Sequence, residues 1–241
     1  MIYFLTSSPC IQGASILNTD NAFVDHLKQF LPSSSRALFI CSDPYHQEAT
    51  DRFAQDMRDS FEHAGFNFLS YQVLDPRNDV FVAPLILESD FIILAGGHVP
   101  TQNQYFQQIQ LAKLIKDFDG VIMGISAGTM NCASTVYAQP EREGESIDPN
   151  YQRFLPGLGI TDLMILPHYQ MIKHSLLDEK RLFEDITYPD SYGNSFYLLR
   201  DGSYILGTKE QEVLYGEAYL LKDGIKAKIC EQNQSHRMTQ R

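Results

Sequence analysis

The regular alternation of short apolar runs with longer amphipathic segments constrains the fold of this chain most strongly. Five apolar runs rich in β-branched and aromatic residues predict buried strands at Ile2–Thr6, Arg36–Ser42, Asn67–Val73, Asp90–Ala95 and Gly120–Ile125. The segments between them predict helices over Ala22–Leu31, Thr50–Ala64 and Gln104–Phe118. Strands that are joined by helices pair in parallel through right-handed crossovers. The sequence therefore predicts an α/β fold with an open, mostly parallel sheet and helices on both faces.

The chain after residue 139 has a different character. Gln139–Gly159 is rich in Pro, Glu, Gly and Asp, which predicts a long irregular connection. The apolar runs that follow predict a largely antiparallel finish with β-hairpin additions, at Asp162–Leu166, Phe196–Arg200, Tyr204–Gly207 and Ala218–Leu221. The length of 241 residues fits one core. We predict a single α/β domain over residues 1–230 and a disordered tail over residues 231–241.

Charge and composition restrict the partners. The formal net charge of −11 disfavours nucleic acid and anionic membrane surfaces, because both require clustered Lys and Arg. No apolar run approaches the roughly 20 residues that a bilayer requires, and Met1 is not followed by a secretory signal, so we expect a cytoplasmic protein. The four cysteines form no CxxC pair, which argues against a zinc or redox site. A small molecule is the expected partner.

The pentapeptide Gly124-Ile125-Ser126-Ala127-Gly128 is the strongest chemical signal in the sequence. It follows a predicted strand and precedes Thr129–Val136, which is expected to begin a helix, so the motif has the context of a nucleophile elbow. Glycines flank the serine because the tight turn leaves little room for side chains. We therefore expect Ser126 to be a nucleophile and the Ala127 amide to stabilise an oxyanion. A turn without chemistry, or one that binds phosphate, is the alternative interpretation.

A serine nucleophile needs a base, and His168 is the best placed of the seven histidines. It follows the predicted strand Asp162–Leu166, which would return it to the same edge of the sheet as Ser126. His98 follows Asp90–Ala95 and is the competing candidate, with substrate contact as its expected role. The other histidines are not grouped with carboxylates or cysteines at metal-ligand spacing, so no metal site is expected.

The third member of a serine triad is a carboxylate that orients the imidazole. Asp201, in a turn after the histidine, and Glu141, in the long connection after the elbow, are the two candidates. Asp-Gly is also a common hairpin turn, so the residues alone leave both candidates open. Gly96-Gly97 follows another predicted strand and offers a second oxyanion donor, for which we select the amide of Gly97.

In order and approximate spacing, these motifs resemble the dipeptidase E family of serine peptidases, which also contains the cyanophycinases and has a class I glutamine amidotransferase-like, flavodoxin-like fold. The resemblance covers most of the chain and rests on Phe91–Gly97, Gly124–Gly128, Ile147–Pro149 ahead of Gly157–Gly159, Leu166–Tyr169 and Leu199–Tyr204. It implies that Ser126 is the nucleophile and His168 the base. Asp201 then stands where the family carries a glutamate, and Gly97 and Ala127 would form the oxyanion hole.

The resemblance implies hydrolysis of short peptides through an acyl-enzyme, without a metal or organic cofactor. The family preference for an amino-terminal aspartate transfers less readily, because this chain has Gly96-Gly97-His98-Val99-Pro100-Thr101 where relatives tend to have three glycines and Asn-Thr. We expect a small peptide substrate and a monomer or homodimer. A noncatalytic amidotransferase-like binding or regulatory protein and an esterase-type serine hydrolase are the alternatives. A glutamine amidotransferase is not expected, because position 126 carries a hydroxyl instead of a thiol.

Overall fold

The computed structural model describes residues 1–32 and 34–238. In chain order its strands are β1 (Ile2–Thr6), β2 (Ser34–Ile40), β3 (Asn67–Leu74), β4 (Phe91–Leu94), β5 (Val121–Ile125), β6 (Thr135–Tyr137), β7 (Phe154–Pro156), β8 (Met164–Leu166), β9 (Leu176–Leu177), β10 (Lys180–Arg181), β11 (Ser195–Leu199), β12 (Tyr204–Gly207), β13 (Glu212–Tyr215), β14 (Ala218–Lys222), β15 (Ile225–Cys230) and β16 (Ser235–Arg237). The α-helices are α1 (Phe23–Phe30), α2 (Gln47–His63), α3 (Val82–Leu87), α4 (Val99–Gln108), α5 (Leu111–Leu114), α6 (Ala127–Asn131), α7 (Tyr169–Ile172) and α8 (Tyr188–Asp190). Short 3-10 turns cover Asp20–Ala22 and Asp79–Phe81, and a π-helical turn covers Leu182–Thr187.

The largest sheet contains eight strands in the order β16-β13-β12-β1-β5-β4-β2-β3. The five predicted strands, β1 to β5, run parallel to one another. β12, β13 and β16 extend the sheet beside β1 in antiparallel pairing. The predicted α/β class, with an open and mostly parallel sheet and hairpin additions from the carboxyl-terminal part, is confirmed. Ligands bind such sheets at the carboxyl ends of the parallel strands.

Successive residues of the parallel strands pack into two separate apolar layers, because side chains alternate between the faces of a sheet. On one face, Phe4 and Phe39 pack with residues of α1 and α2, including Phe61. On the other face, Leu5 and Ile40 pack with residues of α4 and α5. Each fully buried side chain of this kind contributes about 1.5–3 kcal/mol. In the described part of the chain, no helix is both long and apolar enough to cross a bilayer.

A second sheet supports the other half of the site. It contains four strands in the order β15-β14-β11-β8. β11 pairs in parallel with β8, whereas β14 pairs antiparallel with β11 and β15. The turn at residues 200–203 leads from β11 of this second sheet to β12 of the large sheet. The carboxyl-terminal β finish is therefore antiparallel except at the β8 and β11 pair.

Three local predictions were wrong. The helix predicted over Gln104–Phe118 begins at Val99 instead, where Pro100 suits a first helical turn, and it ends before Gln110, whose φ of 53° is left-handed. The helix after the elbow stops at Asn131, and Thr135–Tyr137 forms a strand that pairs with β7 inside the connection predicted to be irregular. Ser235–Arg237, predicted to be disordered, pairs with β13. The remainder of that tail, residues 239–241, lies outside the described residues.

Candidate active site

Ser126 occupies a sharp turn between β5 and α6. Its φ of 51° and ψ of −110° lie in a region that side chains rarely adopt, whereas Ala127 already begins the helix. Such a conformation costs on the order of 1–3 kcal/mol and persists only where the surrounding structure enforces it. Neighbouring residues enforce it here: the Ser126 amide donates to the Thr6 carbonyl over 3.2 Å, and the Thr6 hydroxyl donates to the Gly124 carbonyl over 2.7 Å. The turn is therefore fixed to the end of β1.

Both glycines of the pentapeptide are required by close backbone packing. A Cβ atom at Gly124 would lie 2.7 Å from the Cα of Thr129. A Cβ atom at Gly128 would lie 2.3 Å from the carbonyl oxygen of Leu94. The absence of a side chain at both positions therefore allows the elbow to pack closely against its own helix and against the end of β4.

Gly128→Ala is expected to destabilise the protein by about 2–3 kcal/mol, since the added methyl group would overlap with backbone atoms that cannot rotate away. Gly144→Ala is the matched control: Gly144 has a φ of +90°, but no atom lies within 4 Å of the added Cβ. The control should be destabilised only by the strain of an alanine in a left-handed backbone conformation, by about 1–2 kcal/mol. Urea denaturation measures both values, and an unchanged stability of Gly128→Ala would contradict the steric argument.

His168 lies between Ser126 and Asp201. Its Nε2 is 2.9 Å from the Ser126 Oγ, and its Nδ1 is 2.7 Å from the Asp201 Oδ1. The side chains of His168 and Asp201 are 32% and 21% exposed, so the imidazole can be reached by a substrate while its carboxylate partner is more enclosed. The structure thus brings together the serine, the histidine and one of the two acids that the sequence singled out.

Asp201 is held by two side chains that the sequence did not single out. The Ser7 hydroxyl donates to its Oδ1 over 2.7 Å, and the Gln170 amide donates to its Oδ2 over 2.7 Å. The backbone amide of His168 in turn donates to the Ser7 Oγ over 2.8 Å. Burial alone would raise the pKa of Asp201, but His168, Ser7 and Gln170 hold that pKa below its ordinary value. Ser7 follows β1 directly, so the rule that sites lie at strand ends could have identified it.

The glycine loop after β4 packs against the nucleophile. A Cβ atom at Gly96 would lie 3.4 Å from the Cβ of Ser126, and one at Gly97 would lie 2.4 Å from the Ser42 Oγ. The loop backbone therefore approaches the serine closely. The Ala127 amide is the first of α6 and has no acceptor within the helix. The glycine loop and the first residue of α6 therefore both adjoin the nucleophile.

A buried network of side-chain amides ties this loop to α6. Gln102 donates to the Ala95 carbonyl over 2.7 Å, and Asn131 donates to the Gln102 Oε1 over 3.0 Å. Asn103 donates to the Asn131 Oδ1 over 2.8 Å. Gln102 and Asn131 are fully buried. Buried polar groups that are fully paired make a structure rigid, so this network sets the distance between the glycine loop and the elbow.

His98 is hydrogen-bonded to residues other than the Ser126 and His168 pair, whereas Glu141 lies beside that pair. His98 Nε2 lies 2.8 Å from the Glu145 Oε1, and its Nδ1 lies 2.8 Å from the Thr101 Oγ1. Glu145 also accepts the backbone amide of Glu141 over 2.8 Å. His98 therefore anchors the loop that carries Glu141. Glu141 itself lines a cavity of about 350 Å³ together with Ser126 and His168.

Among the described residues, no group of three His, Cys, Asp or Glu side chains could hold a metal ion. The candidate site consists of a hydrogen-bonded serine, histidine and carboxylate beside the glycine loop and the first turn of α6. This arrangement suits nucleophilic attack on a carbonyl group, since each element serves a charge that develops during acyl transfer.

Two solved structures that share this fold are described as peptidases. A peptidase from an acI-B1 Actinobacterium superposes with a TM-score of 0.62 at 16% identity, covering 98% of this chain and 96% of that chain. A candidate peptidase E protein from Listeria monocytogenes EGD-e superposes with a TM-score of 0.60 at 18% identity, covering 95% of this chain and 98% of that chain. At these identities the likeness shows a shared fold. A search of curated proteins found no match.

The family comparison is more specific than the structural one. The sequence model of Peptidase family S51 matches residues 4–214. This range includes the last three residues of β1, the glycine loop, the elbow, the segment that carries His168 and the turn that carries Asp201. The chain belongs to Peptidase family S51, a family of serine peptidases.

Proposed function

We propose that this serine peptidase hydrolyses short peptides through an acyl-enzyme on Ser126. The observation that carries the proposal is the continuous chain of hydrogen bonds from Ser126 through His168 to Asp201, with distances of 2.9 and 2.7 Å. A base within this distance of a hydroxyl can remove its proton as the hydroxyl attacks. The cavity of about 350 Å³ beside the serine lies at the small end of the range for ligand sites, which favours a short peptide.

The first half of the reaction forms an ester. His168 Nε2 takes the proton from the Ser126 Oγ as that oxygen bonds to the peptide carbonyl carbon, and the carbonyl electron pair moves onto its oxygen. The amides of Gly97 and Ala127 donate to this oxyanion. When the carbonyl reforms, the C–N bond breaks and His168 gives its proton to the leaving amine.

The second half hydrolyses the ester. A water molecule gives a proton to His168 and attacks the acyl carbon, after which the Ser126 Oγ leaves and recovers that proton. The product is a carboxylic acid, and the enzyme returns to its starting state. Asp201 stays ionised and stabilises the imidazolium formed in each half.

The first test combines an activity probe with a substrate panel. A fluorophosphonate should label the wild-type protein and fail to label Ser126→Ala, because only an activated serine reacts at a useful rate. A dipeptide panel that includes Asp-X and apolar-X members then identifies the acyl-side preference. Labelling with ester cleavage and no peptide cleavage would favour an esterase-type hydrolase. Absence of labelling and of cleavage would favour a noncatalytic amidotransferase-like protein and overturn the proposal.

A further inference from the structure

The cavity beside Ser126 has an apolar wall and one carboxylate. Among the described residues, its apolar lining includes Met130, Leu166, Ile172, Leu177 and Leu182, and Glu141 is its acidic member. No described Lys or Arg lines it. Leu166, Met130 and Leu182 are buried, so this wall is a fixed part of the cavity. An acidic side chain entering the cavity would meet no Lys or Arg, and the polar side chains there are those of Ser126, Gln139, His168 and Ser175.

Glu141 carries a carboxylate without a cationic hydrogen-bond partner. No ion pair in the described part of the chain includes it. The residue as a whole is exposed on its loop, whereas its carboxyl group is largely surrounded by protein atoms, and the residue lines the cavity. Burial there and the nearby charge of Glu145 raise the pKa of Glu141 to about 7, against smaller opposing effects of the Val99 amide, Arg142 and His168. A carboxylate in this situation gains free energy when a cation binds beside it.

Peptide geometry relates these two features to the nucleophile. The carbonyl carbon that Ser126 attacks is bonded to the Cα of the acyl-side residue. That Cα carries both the side chain and the amino group of the same residue. A side chain in the apolar part of the cavity therefore leaves the amino group within the same small space as Glu141. In an interior residue this nitrogen is an uncharged amide, whereas in an amino-terminal residue it is an ammonium group with three donors.

We infer that the cavity binds an amino-terminal apolar residue, such as leucine or methionine, with its side chain against Leu166, Leu177 and Leu182 and its free ammonium group held by Glu141. This inference rests on the proposed function and names its substrate class. An amino-terminal aspartate fits poorly, because its carboxylate would be desolvated among leucines and would lie near a second carboxylate. The loop anchored by His98 and Glu145 serves to hold Glu141 in place.

Reactive α-aminoalkylphosphonate diphenyl esters test the cavity directly, because they label an activated serine whether or not a peptide is turned over. The leucine phosphonate should label Ser126 about 100-fold faster than the aspartate phosphonate, since apolar burial accounts for a factor of this order. N-acetylation of the leucine phosphonate should slow labelling about 10- to 100-fold, because it removes a charge-assisted hydrogen bond.

Two variants assign these effects to residues. Glu141→Gln should abolish most of the preference for the free amine over the acetylated probe. The matched control Glu143→Gln changes an exposed carboxylate of the same loop that does not line the cavity, and it should behave as wild type. Leu177→Arg should raise the ratio of aspartate to leucine labelling by at least about 10-fold, because it introduces a cation into a half-buried wall position.

The outcomes separate this inference from the proposed function. Absence of fluorophosphonate labelling would defeat the proposed function itself. Fluorophosphonate labelling combined with faster reaction of the aspartate phosphonate, or with equal rates for free and acetylated probes, would overturn the inference alone. The same holds if Glu141→Gln retains the full preference for the free amine.

Discussion

Ser126→Ala is expected to lower kcat/KM for any cleaved peptide by at least about 10⁴-fold while leaving the fold intact. The substitution removes the oxygen that forms the acyl-enzyme, and the remaining backbone amides can supply only the residual rate that binding and oxyanion stabilisation give. Alanine is smaller than serine, and its methyl group occupies the space of the serine Cβ beside Gly96. Circular dichroism should therefore match wild type. Retention of more than about a tenth of the activity would mean that another residue is the nucleophile.

Ser126→Gly is the informative companion variant. It should be as inactive as the alanine variant, but more stable than it by about 1–2 kcal/mol, because glycine adopts a positive φ without strain. In the glycine variant, the backbone conformation at position 126, with φ 51° and ψ −110°, would no longer be strained. Thermal or urea denaturation of the two variants gives the difference. A glycine variant less stable than the alanine variant would contradict the interpretation that the elbow is strained.

Asp201→Asn is expected to lower kcat by about 10³–10⁴-fold with little change in KM. The Asp201 carboxylate accepts hydrogen bonds from Ser7 and Gln170 and lies 2.7 Å from the His168 Nδ1. An amide in its place would direct an NH₂ group at one of these donors or at the imidazole, which favours the wrong tautomer of the histidine. Single-turnover kinetics with a chromogenic peptide measure the loss.

Glu141→Gln is the comparison that tests the assignment of the acid. With an N-acetylated substrate it should lose far less kcat than Asp201→Asn does, because Glu141 is expected to hold a free amine and not the imidazole. The lowered pKa of Asp201 also implies that its ionisation does not limit the wild-type rate above about pH 4. The deficit of Asp201→Asn should therefore be present throughout pH 5–8. Equal or reversed losses in the two variants would overturn the assignment of Asp201 as the orienting acid.

The parallel part of the fold could be predicted because local and global signals agree there. Four of the five parallel strands are short apolar runs followed by a segment in which a helix is predicted to form or begin, and such units have few ways to assemble. The elbow was predictable for the same reason, since a serine between two glycines after a buried strand has one common structural context. His168 required only the further rule that residues after strands meet at one edge, whereas the choice of Asp201 over Glu141 came from the family resemblance.

The features that escaped prediction depend on contacts between distant parts of the chain. Ser7 and Gln170 reach Asp201 across separations of 194 and 31 residues, and only the position of Ser7 directly after β1 marks either of them in the sequence. The broken helix at Gln110 reflects a left-handed residue that has no glycine or asparagine signal. β16 is short and polar, and it forms because β13 offers an unpaired edge, which is a property of the assembled sheet.

The turn at residues 200–203 has a consequence for how the enzyme should lose function under stress. His168 follows a strand of the four-stranded sheet, Ser126 follows a strand of the eight-stranded sheet, and Asp201 lies in the turn between the two sheets. A slight separation of the sheets would lengthen these hydrogen bonds before either sheet melts. Catalytic activity should therefore be sensitive to how closely the two sheets pack against each other. In a urea titration, we expect activity to disappear at a lower concentration than helical ellipticity, which would make this active site a sub-global unfolding unit.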